Sequence, residues 1–173
     1  MKTLQTWLFL AYFILMMIVV GGTIFATMVE YPNWFANVPT SLAATRNFYQ
    51  VLHPGHFFQT FAPLFLLSTI GSLAIGWKLK PVRNLVLISF LFMLAAELLT
   101  FIYIYPRLGI LFAPETAGHS VDLLRQTASE FTTADRIRTA LGFIAAGLGI
   151  AALPRFFRVK PTDTDIDSPA SES

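Results

Sequence analysis

The sequence predicts an all-α fold, a polytopic membrane four-helix bundle with two extracytoplasmic segments that contain short amphipathic helices. Three observations predict it. Four apolar stretches, 7–28, 57–77, 85–105 and 137–153, each approach the length that crosses a hydrocarbon core of roughly 30 Å at about 1.5 Å of rise per residue. Hydrophobic residues make up 55% of the chain and charged residues only 13%, well under the roughly 25% of soluble domains, and the mean hydropathy is +0.62. Four spans in 173 residues leave no room for a second domain. The reading is a single membrane domain over 1–158 and a polar, acidic tail over 159–173, "PTDTDIDSPASES" at its end, expected to be disordered.

The first apolar stretch follows Lys2 and is longer than the roughly 7–15 residues of a signal-peptide core, with no A-x-A cleavage site, so it reads as a retained anchor. The segment 29–56 is too long for a turn. Within it "SLAATRNFYQVL" sets Leu42, Phe48, Tyr49 and Leu52 among polar neighbours, the pattern of a surface helix. "LHPGHFF" opens the second span, with His53 near the N-cap and Pro54 at the first helical position. The turn "KLKPVRN" leads to the third span. The segment 106–136 holds "SVDLLRQTASEF", a second amphipathic stretch, before the fourth span. Gly142, Gly147, Gly149, Ala145 and Ala146 suit that span to close helix packing. No internal repeat is evident, which argues against a transporter built from inverted halves.

With the N-terminus inside, the inner side carries Lys2, Lys78, Lys80, Arg83, Arg155, Arg158 and Lys160, and the outer side Arg46, Arg107, Arg125, Arg136 and Arg138. The inner cations are concentrated in a short turn, so both termini are expected in the cytoplasm. The absence of cysteine excludes disulfides, thiolate metal sites and thiol catalysis. A net charge of +2 with no basic groove interleaved with aromatics excludes a nucleic-acid partner; the lipid bilayer is the partner implied, and a homo-oligomer or a partner subunit is compatible.

Polar residues gather in the outer half of all four spans. Thr23, Thr27 and Glu30 share one helical face, as do His56, Gln59, Thr60 and Pro63; Ser89, Glu97 and Thr100 fall on one side of the third span, and Asp135, Arg138, Thr139 and Gly142 on one side of the fourth. One shared polar cavity is expected. Glu97 is the only ionisable group besides tyrosine between Leu85 and Tyr105, and an ionised carboxylate facing lipid costs several kcal/mol, so it should face the interior. Two readings stay open: an ion pair with Arg138 that fixes helix register, or a reactive carboxylate. The expected catalytic set is Glu97, His56 and Arg138. Glu30, Gln59, Thr60, Thr100, Tyr103, Arg107 and Arg136 are expected to bind ligand, the arginines as forks for an anionic or phenolate group. His53, His56, Glu30 and Glu97 form an oxygen and nitrogen set that a single transition metal ion would accept, although no Glu-x-x-His pair is present. Haem is disfavoured because no histidine lies deep in any span.

The "VGG" of the first span, the outer "WFANVP", and "DRIRTAL" leading into the fourth span resemble the anthrone-oxygenase-like family of small four-helix membrane proteins, over about residues 15–153. Phe131, Asp135 and Tyr105-Pro106-Arg107 stand where that family carries other residues. The resemblance implies oxidation of an apolar phenolic or quinone-like molecule with molecular oxygen. Such chemistry needs a base, here His56 or Glu97, a cation for the oxyanion, here Arg136 or Arg138, and an apolar pocket. The rival class is a non-enzymatic membrane module that binds a lipid, quinone or partner subunit in the same cavity.

Overall fold

A computed structural model describes residues 2–113 and 118–158. The tail expected to be disordered, 159–173, lies outside the described residues. Among the described residues seven α-helices run in order: α1 (Lys2–Phe25), α2 (Tyr31–Trp34), α3 (Thr40–Phe48), α4 (Pro54–Gly76), α5 (Lys80–Leu99), α6 (Tyr105–Leu111) and α7 (Val121–Arg158). No strand occurs among the described residues. Four continuous helical stretches, Thr3–Trp34, Pro54–Gly76, Lys80–Leu111 and Val121–Arg158, are long and apolar enough to cross a membrane, the architecture of an integral membrane four-helix bundle. α2, α3, α6 and the first turns of α7 cap one end of the bundle; the short turn between α4 and α5 lies at the other.

Three of these stretches outrun the apolar segments that announce them. The reason is that nothing breaks the helix where hydrophobicity ends. α7 is the clearest case: "SVDLLRQTASEF" is not a separate surface helix but the first three turns of a 38-residue rod, because neither glycine nor proline interrupts the chain between Val121 and Gly142.

The first and third stretches each contain one π-helical turn, Ala26–Glu30 and Thr100–Ile104, and each is followed at once by Tyr-Pro. The proline explains the turn. A proline inside a helix lacks an N–H and its ring collides with the carbonyl four residues back. Widening the preceding turn by one residue relieves that collision and lets the helix continue into α2 and α6.

These two turns expose a repeat that the sequence hides. Ala26 and Thr100, and likewise Tyr31 and Tyr105, stand 74 residues apart. α4 and α7 correspond at an offset of 80: Phe65 with Ala145, Thr69 with Gly149 and Ser72 with Ala152 are buried at matching positions. The difference of six residues falls between Tyr105 and residue 134 of α7, where the stretch that matches α4 begins. α1 packs mainly on α4 and α5 mainly on α7, and the two pairs meet through α1 with α7 and α4 with α5. This is the pattern of two parallel repeats related by an axis along the bundle.

At the bundle centre Tyr12 is wholly buried, and its hydroxyl donates to Ser89 Oγ at 2.9 Å; Ser89 in turn donates to the Ala145 carbonyl at 2.9 Å. This chain ties α1, α5 and α7. A methyl group at Gly149 would meet the end of Met16 and lie 3.2 Å from Tyr12 Oη, so the glycine leaves room for these side chains of α1 against α7. The cap has its own core: Tyr31 meets Phe131 edge to face at 4.9 Å, and Trp34 meets Phe112 at 5.3 Å.

Candidate functional site

Between the bundle core and the cap lies a cavity of about 850 Å³. Its walls are mostly apolar, from Val19, Val20, Phe58, Leu66, Met93, Leu94, Phe101 and Ile104 among others. Both repeats build it with matching positions. Val19, Val20, Thr23, Tyr31 and Trp34 line it from the first, and the residues 74 positions on, Met93, Leu94, Glu97, Tyr105 and Leu108, line it from the second. At the second offset, Phe58, Gln59 and Ala62 of α4 match Arg138, Thr139 and Gly142 of α7, all on the wall.

Glu97, two residues before the end of α5, lines this cavity half-buried. It makes no hydrogen bond and no ion pair with any described residue. Arg138 is on the wall too, and its charge is felt by Glu97, but the ion pair expected between them is not formed. Arg138 pairs instead with Asp135, one turn earlier on α7, and donates to Tyr31 Oη at 3.2 Å. Asp135 is 1% exposed; its other oxygen accepts from Thr27 Oγ1 at 2.6 Å, and Thr27 also lies 2.9 Å from Thr139 Oγ1. The fork is therefore anchored from behind. Arg138 Nε is buried without a partner, and the guanidinium carbon lies 5.6 Å from the centre of the Phe58 ring.

Of the other residues singled out from sequence, Gln59, Thr100 and His53 line the cavity. Thr100 donates to the Ala96 carbonyl, which binds it into its own helix. His53 caps α4: its Nδ1 accepts from the Gly55 N–H at 3.0 Å, while the His53 N–H donates to His56 Nδ1 at 3.2 Å. Burial, and then the neighbouring His56, lower the His53 pKa from its ordinary value. The two histidines are thus helix-capping groups. His56 is exposed and off the cavity wall, and Thr60 beside it donates to the His56 carbonyl.

Glu30 stands just outside the wall and accepts from Tyr49 Oη at 2.8 Å, leaving its second oxygen buried without a partner. Burial first, and then Glu30, push the Tyr49 phenol up to about 12. Tyr103 and Arg107 lie off the wall as well. Arg107 stacks on Tyr103 and forms an ion pair of 2.7 Å with Glu130. Arg136 lines a different groove. Among the described residues no three His, Cys, Asp or Glu side chains gather as a metal site, so His53, His56, Glu30 and Glu97 do not form the ligand set expected of them.

Sequence reasoning missed Asp135, Tyr31 and Thr27 as the support of Arg138, and Tyr105 as a wall residue. The i, i+3 spacing of Asp135 and Arg138 was the available signal. No protein-family model, no curated protein and no solved structure matches the chain.

Proposed function

We propose that this chain binds an apolar, ring-bearing molecule of the phenol or quinone class in the cavity and acts on it as an oxygenase, with Glu97 as the base. A single observation carries the reading: an unpaired carboxylate in a largely apolar cavity, with an anchored guanidinium on the same wall. A carboxylate in such surroundings gains most from taking a proton. A guanidinium held by Asp135 and Tyr31 is oriented in advance to hold an oxyanion. The volume falls within the range of small-molecule pockets.

In the anthrone-type reaction, Glu97 removes a proton from a ring methylene activated by a carbonyl. The electron pair moves to that carbonyl oxygen, where Arg138 meets the negative charge. Dioxygen then oxidises the carbon, so that the methylene and O₂ become a carbonyl and water. Membrane orientation belongs to the same proposal: the cations of the α4–α5 turn face the cytoplasm with both termini, and the cap and cavity face the opposite side.

The test is oxygen uptake by the purified full chain with an anthrone. Wild type should consume one O₂ per anthrone, and Glu97→Gln should lower the rate roughly 10²–10⁴-fold, the usual contribution of a general base, with an unchanged melting temperature. Binding of the ring compound without oxygen uptake would sink the oxygenase reading and leave the binding module.

A further inference from the structure

A second groove lies outside the cavity, on the cap side of α7. Its volume is about 490 Å³. One wall is a stripe of α7 residues, Arg125, Ser129, Thr132, Thr133 and Arg136, whose spacing keeps them on one helical face; the other is the segment 35–38. No carboxylate lines it.

The two arginines differ from the other three on this half of the molecule. Arg46 donates to the Ala113 carbonyl, Arg107 holds Glu130 and Arg138 holds Asp135. Arg125 and Arg136 are exposed and have no hydrogen bond or ion pair with any described residue, although Asp122 is only three residues from Arg125. The hydroxyls of Thr132 and Thr133 are already spent on the carbonyls of Ala128 and Ser129. What remains free to donate is two guanidinium forks, the Ser129 hydroxyl and the Asn37 amide. That set offers donors and two positive charges with no negative one, which an anion with several oxygens satisfies.

Depth supplies the second argument. If the apolar part of α7 begins at Ile137, Thr132 and Thr133 stand about 6–8 Å beyond it at 1.5 Å per residue. The headgroup layer is about as thick, since a bilayer of roughly 40–45 Å has a hydrocarbon core of roughly 30 Å. The middle of the groove therefore sits where lipid phosphates lie.

We propose that the Arg125–Arg136 groove binds a phosphate group, that of a phospholipid headgroup or a free phosphate. Both have the same chemistry at the site. The two arginines grip it from either end of the stripe and Ser129 donates between them.

The test uses the full chain in detergent with two probes: dioleoylphosphatidylglycerol, retained lipid being counted by native mass spectrometry, and inorganic phosphate at fixed ionic strength, read as a melting shift. The variants are Arg125→Gln with Arg136→Gln, and Ser129→Leu, which fills the groove while leaving both cations. Arg155→Gln with Arg158→Gln serves as a control at the other end of α7. Wild type and control should hold one lipid more than either groove variant, with roughly tenfold tighter binding. A saturable phosphate shift lost in both groove variants, without a difference in lipid, supports the site and assigns it to the free anion. If the double arginine variant fails to fold, Ser129→Leu decides. Groove variants that match wild type with both probes overturn the proposal.

Discussion

Asp135 is the residue whose removal tests the site most sharply. It is 1% exposed and compensates the buried charge of Arg138 while accepting from Thr27. Asp135→Asn preserves shape and leaves an acceptor for Thr27 but strands a guanidinium whose only other hydrogen-bond partner among the described residues is Tyr31. Leaving one member of a buried pair uncompensated costs about 3–5 kcal/mol. The lower end applies here, because Arg138 borders a cavity and Glu97 is within its field as a substitute partner. We expect a loss of about 3 kcal/mol. The double variant Asp135→Asn with Arg138→Met removes both charges and should cost less than the single change, since apolar replacement of a buried pair is often neutral. Equilibrium unfolding in mixed micelles reads both, followed by fluorescence of the buried Trp34, which packs on Tyr31 at 5.0 Å. A single variant within 1 kcal/mol of wild type, or a double variant that costs more than the single one, would refute the account of Arg138.

Two further outcomes follow from the ends of the bundle. His53 has a lowered pKa when folded, so its contribution is complete above the unfolded value near 6.5 and is lost as the pH falls through the folded value. Hydrogen exchange at the Gly55 amide, which His53 caps, should accelerate relative to amides in mid-α4 as the pH falls through the folded value of His53; equal acceleration along the helix would contradict this. For orientation, the cysteine-free chain permits single-cysteine labelling. A membrane-impermeant maleimide applied to intact cells should label His119→Cys and not Lys78→Cys, and the reverse pattern would invert the topology.

The spans were legible because a bilayer imposes length and apolarity on contiguous residues, which a sequence displays directly. Glu97 was legible for the same reason, as a charge with no cheap place to go. What the sequence concealed was angular position. Arg136 and Arg138 were read as alternatives for the oxyanion partner of one site, yet two residues correspond to about 200° of helical rotation, and the structure puts them in separate sites. The stripe of His56, Gln59, Thr60 and Pro63 was similarly rotated from the true wall, which runs through Phe58, Gln59, Ala62, Pro63 and Leu66. The π-turns were invisible because they answer a backbone collision at Pro32 and Pro106 that no hydropathy pattern records. They also shift the register of everything beyond them.

The repeat gives those placements a common logic. At matching wall positions the first repeat supplies Thr23 and Phe58 where the second supplies Glu97 and Arg138, while Tyr31 and Tyr105 are the same in both. The geometry of the cavity is therefore shared, and of its three charged wall residues the second half supplies Glu97 and Arg138, while the first supplies Arg46, which is held by the Ala113 carbonyl. Tyr31 and Thr27 of the first half serve that asymmetry from behind, through Arg138 and Asp135. A ligand of the proposed class that sets its ionisable end between Glu97 and Arg138 lies with that end against α5 and α7 and its rings toward Val19 and Val20. The opposite orientation would leave Glu97 and Arg138 against apolar surface, where an unpaired polar group costs roughly 2–7 kcal/mol. Departures at two matching positions, Glu97 for Thr23 and Arg138 for Phe58, therefore put an acid and a cation together on the α5–α7 side of the cavity.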